Sequence, residues 1–265
     1  MLTFMEYLSR PGWSNSAIKY IPDSPQEFHD RFIAKIDADE VTDAKKLGTA
    51  LHSVLLEGKP VPVIPRDVLN ADGHRKGKAW LEYRDEHAGE TLLTESEAEP
   101  IKRMVQSVYE HPQARRLLES PGPIEHSIFW TDGVTGLPLK MRLDKLAEFG
   151  DERVLVDVKT AAEVDARSFA KAATRLKYYR QVAWYYEGIY AETGYMPDGF
   201  CFIAVKNSPP YNCEVYELAE SAIELGRQQN RAALDDLKRR LDSGDWHSPS
   251  WNTISVLDLE AYAYK

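Results

Sequence analysis

Near the middle of the chain, Val154-Leu155-Val156-Asp157-Val158-Lys159-Thr160 reads as a buried strand that ends in a carboxylate and an ammonium. The β-branched and aliphatic run requires cover on both faces, and its period of two puts Asp157 and Lys159 on the same face. Removing an isolated charge from water costs several kcal/mol unless it is paired or bound to metal. The pair is therefore a salt bridge, a solvated strand end or a chemical site, and Asp-x-Lys alone leaves these readings open.

The flanking sequence supplies the sheet. Pro121-Gly122-Pro123 breaks a helical region, after which IEHSIFW, LPLKMRLDKLAEF and RVLVDVKT read as three strands. Asp132-Gly133, Thr135-Gly136 and Gly150-Asp151 provide turn chemistry between them, which predicts an antiparallel meander. Upstream, Ser24-Pro25 opens a helix over QEFHDRFIAKI with Ser24 as its cap, and Asp43 leads into a helix stopped by Gly58. Helical stretches are also predicted at about Lys76 to Ala88, Glu95 to His111, and on to Glu119. After Thr160 a helical region runs to about Thr193 with a break near Lys177. Then come the strands DGFCFIAVKN and YNCEVYEL, a helix from Ala219 to about Leu241, and a tail carrying Trp246 and Trp251. The order predicts an α/β fold, a mixed central β-sheet flanked by helices, with a helical N-terminal part. A single domain over 1–265 is expected, divided into a helical part at 1–120, a sheet core at 121–217 and a helix with tail at 218–265.

Asp144, in Met141-Arg142-Leu143-Asp144-Lys145, lies on the strand preceding Asp157. An antiparallel pair joined by a short turn brings the two acids together as oxygen ligands for a hard divalent cation, which would relieve their repulsion. Glu125 on the strand before can add a third acid. The formal net charge of -9 argues against a polyanionic partner, yet distribution matters more than the total. Arg167, Lys171, Arg175, Lys177 and Arg180 fall in an interval without acids, beside a shorter basic run at Lys140, Arg142 and Lys145. A solvated helix face explains the first run as readily as a phosphate-binding surface. Cys201 and Cys213 form no metal knuckle or disulfide framework, and no segment reaches the roughly 20 apolar residues of a membrane span. A reduced, cytoplasmic setting is expected.

An Asp, a spacer of about a dozen residues and Asp-x-Lys on the next strand resemble the PD-(D/E)xK nuclease superfamily. The chain looks most like its RecE (exonuclease VIII) branch, related to phage lambda exonuclease and RecB nuclease domains. Leu47-Gly48-Thr49-Ala50-Leu51-His52, Glu125-His126-Ser127-Ile128-Phe129-Trp130, Tyr179-Arg180-Gln181-Val182-Ala183-Trp184-Tyr185 and the early GWSNSAIKYIPDSPQEFHDRFI carry the likeness, which covers nearly the whole chain. It implies that His52, Asp144, Asp157 and the Val158 carbonyl bind Mg2+, with Mn2+ as a substitute. It further implies that Lys159 activates water and stabilises phosphate charge, that Glu125 assists, and that Gln181 and Tyr185 flank the scissile phosphate. Arg142, Arg175, Lys177 and Arg180 are expected on the DNA backbone, and Ser14, Ser16 and Lys19 around a terminal 5′-phosphate. Trp80, Trp130, Trp184 and Tyr178 are candidates for base stacking, although core packing explains most such residues. The implied activity is 5′ to 3′ digestion of linear double-stranded DNA from its ends in recombination, by a ring-shaped homo-oligomer working beside a single-strand-annealing protein. A structure-specific or restriction-type endonuclease and a catalytically silent DNA-end-binding protein are the alternatives.

Overall fold

The computed structural model describes residues 2–36, 43–61, 63–87, 92–248, 250–254, 256 and 258. Among them, one five-stranded sheet has the order β1 (Ile124–Thr131), β2 (Pro138–Phe149), β3 (Glu152–Ala161), β4 (Gly199–Lys206) and β5 (Cys213–Glu217). The β1–β2–β3 meander is antiparallel as expected, β3 and β4 run parallel, and β5 returns antiparallel. The parallel step requires a crossover, which α8 (Ala166–Arg175) and α9 (Tyr178–Thr193) provide. Lys177 separates those helices in the left-handed region (φ 57°), at the predicted break.

Helices cover both faces. One core joins Leu139, Met141, Leu143 and Leu155 to Trp184 and Ile189 of α9 and to Leu234 and Leu237 of α10 (Glu220–Ser243). The other joins Ala147, Val154, Val156 and Val158 to Leu51 of α4 (Asp43–Leu55), Ile101 and Met104 of α6 (Glu95–Glu110), and Leu117 of α7 (Pro112–Glu119). Two glycines let α9 pack closely on both sides. A Cβ at Gly188 would come within 2.4 Å of Met141 Sδ, and one at Gly226 of α10 within 2.4 Å of the Tyr179 carbonyl oxygen.

The N-terminal part is helical but less regular than predicted. α1 (Phe4–Ser9) carries a capping box between Thr3 and Glu6, and α2 (Asn15–Ile18) is a single turn. The helix expected after Ser24 is α3 (Pro25–Phe28) continued by a π-helical turn, His29–Ile33, and the Ser24 side chain makes no capping bond. α5 (Lys78–Glu86) and α6 fall at their predicted places, while Ala88 lies outside the described residues.

Alternation along β2 changes phase. Leu139, Met141 and Leu143 join the first core, but Leu146 also joins it and Ala147 joins the second. Strict period two would put Leu143 and Ala147 on one face. The same slip occurs across the ladder in β1, where Ile124 packs on the second core and Ile128 on the first. Between those two residues Glu125 has a left-handed backbone (φ 48°), a conformation costing a non-glycine residue on the order of 1 kcal/mol.

Candidate active site

The β2–β3 ladder runs from Phe149↔Glu152 to Lys145↔Val156, so the next residues are Asp144 and Asp157. Beyond them β2 pairs with β1, and β3 pairs with β4. The strands diverge at the two acids, and ladder partners must be replaced there. Asp144 Oδ2 accepts the Val158 amide at 2.8 Å, and His52 Nε2 from α4 donates to the Val158 carbonyl at 2.8 Å. His52 Nδ1 then faces Asp144 Oδ2 at 3.6 Å. Because a carbonyl only accepts, Nε2 is the donor there, and Nδ1 is the ring nitrogen turned to the carboxylate and available to a cation.

Asp144, 8% exposed, lines a cavity of about 520 Å³ together with Lys159, Gln181 and Tyr185, whereas Asp157, 1% exposed, is buried beside them. His52, Glu125 and Asp144 each place a ligand atom within 4.8 Å of the others, a donor set suited to a divalent cation. Asp157 belongs to an adjoining group. Lys159 Nζ stands 2.6 Å from its Oδ2, while Gln181 Nε2 at 3.2 Å and the Tyr185 hydroxyl at 3.3 Å donate to its Oδ1. Gln181 Nε2 also donates to the Tyr185 hydroxyl at 2.6 Å. Oδ2 of Asp157 is buried without a hydrogen-bond partner among the described residues, apart from that ion pair. Asp157 is thus partnered on both oxygens, and the donor set left for a cation is that of His52, Glu125 and Asp144.

The electrostatics follow from burial and crowding. Burial first, and repulsion from Asp157 second, raise the Asp144 carboxyl from its ordinary 3.8 to about 6, against the opposing pull of His52. Burial lowers the affinity of Lys159 for its proton, but Asp157 and Asp144 outweigh it and the ammonium is held above its usual range. Tyr185 is pushed well above 10.0, by burial first and then by Asp157 and Asp144, so its hydroxyl keeps its proton and donates.

The remaining expected site residues divide into two groups. Ser14, Ser16, Lys19, Arg142 and Lys177 line the cavity. Arg142 is already engaged there, with Nε 2.5 Å from Glu125 Oε2 and Nη1 on the Leu2 carbonyl at 3.0 Å. Lys177 pairs with Asp23. Arg175 is exposed just before the cavity-lining Leu176. Arg180 does not reach the cavity. It is 1% exposed, and its Nε donates to Asn230 of α10 at 2.9 Å, because its face of α9 turns to that helix instead of the sheet.

Two further basic residues have internal duties. Lys140 Nζ donates to the carbonyls of Tyr7, Leu8 and Arg10, and Lys145 Nζ to that of Ser120 at 2.7 Å, so the basic run on β2 offers little outward charge. Trp184 and Tyr178 both reach the cavity wall, but Trp184 is buried at 2% and donates to the Lys140 carbonyl, while Tyr178 stacks under the Lys159 ammonium. Sequence reasoning missed the cavity wall made by Phe4 and Tyr7 of α1. The Thr3–Glu6 capping box is a readable helix start, but nothing local says where that helix docks.

A mixed sheet that splays at two buried acids, with Asp-x-Lys on the strand that continues past them, defines a PD-(D/E)xK nuclease-type domain. The chain belongs to the family described as a PDDEXK-like domain of unknown function (DUF3799), whose model matches residues 14–249. Domains of the PD-(D/E)xK type generally depend on a divalent metal ion. The crystal structure of a candidate exonuclease from Eubacterium rectale superposes with a TM-score of 0.65 at 13% identity, covering 100% of this chain and 98% of that one. At that identity the likeness shows the fold. An alkaline exonuclease from Laribacter hongkongensis aligns over 75% of this chain and 94% of its own at 16% identity, and its TM-score of 0.29 is too low to argue from. No curated protein matches the sequence.

Proposed function

We propose that this protein is a magnesium-dependent exodeoxyribonuclease that hydrolyses linear duplex DNA from its ends, 5′ to 3′. The single observation that carries the reading is the convergence of Asp144, Asp157 and Lys159 at the point where β2 and β3 part, with Asp144 and Lys159 lining a large cavity and Asp157 buried beside them. A purely structural salt bridge would need neither the second acid nor the opening. His52, Glu125 and Asp144 would hold the cation, with Asp157 beside them. When bound, a divalent cation polarises a phosphoryl oxygen and lowers the pKa of water.

The chain's own groups do the rest. Lys159, kept charged by its acids, stabilises negative charge growing on the phosphate and is unsuited to act as a base. Gln181 and Tyr185 hold Asp157 through Oδ1 and Lys159 holds it through Oδ2, while Glu125, on the cavity wall, is placed to take the proton of the attacking water. The water oxygen bonds to phosphorus, the bond from phosphorus to the departing sugar oxygen breaks, and that oxygen takes a proton from solvent in the open cavity. Ser14, Ser16 and Lys19, on the same cavity, are suited to a terminal 5′-phosphate and so support attack from an end. Both cores pack on one sheet, which supports a single domain.

The test uses linear duplex DNA with and without a 5′-phosphate, with magnesium or chelator, beside covalently closed and nicked circles. Acid-soluble nucleotides are expected from linear DNA with magnesium, faster with the phosphate, and Asp157→Ala or Lys159→Ala should lower the rate by about 10³-fold. Cutting of closed circles would establish the endonuclease alternative. Full activity in either variant would place the chemistry elsewhere.

A further inference from the structure

The basic residues of α8 differ from those of α10. Arg167, Lys171 and Arg175 are all exposed, α8 contains no acid, and none of the three pairs with a carboxylate among the described residues. The cations of α10 show the opposite pattern. Arg227 meets Glu220 and Glu224, Arg231 meets Asp132 and Asp235, Lys238 meets Asp242, and Arg239 meets Asp236. In a chain of net charge -9, these three cations on one acid-free helix make a local positive ridge. Helix stability favours only Arg175, in the last turn, whereas Arg167 lies in the first turn, where the helix dipole disfavours positive charge.

Spacing and position give the three a direction. At i, i+4 and i+8 they occupy an arc of about 80° and rise about 12 Å along the axis. The last of them immediately precedes Leu176, Lys177 and Tyr178, all on the cavity wall. One strand of duplex DNA presents a phosphate about every 3.4 Å along its axis, so the ridge spans about three to four phosphates.

We infer that Arg167, Lys171 and Arg175 form a track for the sugar-phosphate backbone of one DNA strand, leading from the cavity mouth onto the duplex beyond the cleaved end. The assignment rests on the nuclease reading and extends it to the surface that leads away from the cavity. Contacts of this kind position the nucleic acid without reading its sequence.

The experiment measures binding of a labelled 30-base-pair duplex by fluorescence anisotropy, in chelator, from 50 to 300 mM NaCl. For the triple variant Arg167→Ala, Lys171→Ala, Arg175→Ala, the log–log salt slope should become shallower by about 2.7, and affinity near 100 mM salt should fall at least about tenfold. The charge-preserving triple Arg167→Lys, Lys171→Arg, Arg175→Lys should retain the slope, which excludes a folding defect. The paired surface cations changed in Lys238→Ala, Arg239→Ala should leave it unmoved. A triple alanine variant with the wild-type slope and affinity overturns the track while leaving the nuclease reading intact. Duplex binding with the predicted slope change, but no hydrolysis by the wild type in magnesium, upholds the track and overturns the nuclease reading. Absence of any duplex binding by the wild type overturns the track.

Discussion

Two basic stretches look alike in the sequence and differ in the folded protein. Lys140 and Lys145 on β2 are 9% and 1% exposed, and their ammonium groups are held by backbone carbonyls. Arg167, Lys171 and Arg175 on α8 stand in solvent without carboxylate partners among the described residues. A strand covered by helices on both faces draws its cations inward, where they serve as internal hydrogen-bond donors. A helix with one face on the core leaves them outside, where they add to the field a ligand meets. Lys159 is a third case, buried like the first pair but matched to carboxylates, and it alone joins burial to chemistry.

The largest effect that would sharpen this contrast concerns Asp144. Its raised folded pKa means that, without metal, the native state binds a proton more tightly than the unfolded chain between about pH 4 and pH 6. Its contribution to stability is therefore lost as pH rises through that window. The shift from 3.8 to about 6 corresponds to roughly 3 kcal/mol. In chelator, Asp144→Asn should match the wild type near pH 4 and be the more stable protein above pH 6, as read by urea unfolding. An unchanging difference across the window would show that burial does not strain this carboxylate.

Lys140→Met comes next. It leaves the Tyr7, Leu8 and Arg10 carbonyls without their donor and should lower stability by about 2 kcal/mol, while the salt dependence of DNA binding stays as in the wild type. The triple alanine variant of α8 should do the reverse, with each exposed substitution changing stability by less than about 0.5 kcal/mol. If Lys140→Met flattened the salt slope, or the α8 variant lost several kcal/mol, the division between inward and outward cations would fail.

What the sequence makes legible here is local. The meander, the Asp-x-Lys strand end, the preceding Asp144 and the break at Lys177 follow from period two, turn residues and a helix interruption within a few positions. Gln181 and Tyr185, four apart on α9, meet Asp157 as that spacing allows. What stayed hidden depends on distant partners. The burial of Arg180 is decided by Asn230, and the duty of Lys140 by the carbonyls that close α1. The phase slip at Glu125 has no local signature, since glutamate is not a residue that favours a left-handed backbone. It nevertheless coincides with the place where Glu125 joins His52 and Asp144, the one acid grouped more tightly with them than Asp157.

The central claim is that the acids at the parting of β2 and β3 hold a divalent cation beside a charged lysine. Calorimetric titration of Mn2+ into the metal-free protein at pH 7 tests it most directly. The wild type should bind in a saturable way, and Asp144→Asn should bind at least about tenfold more weakly, on the scale at which charged ligands contribute. Equal Mn2+ affinity in the two proteins, or none in the wild type, would contradict the account.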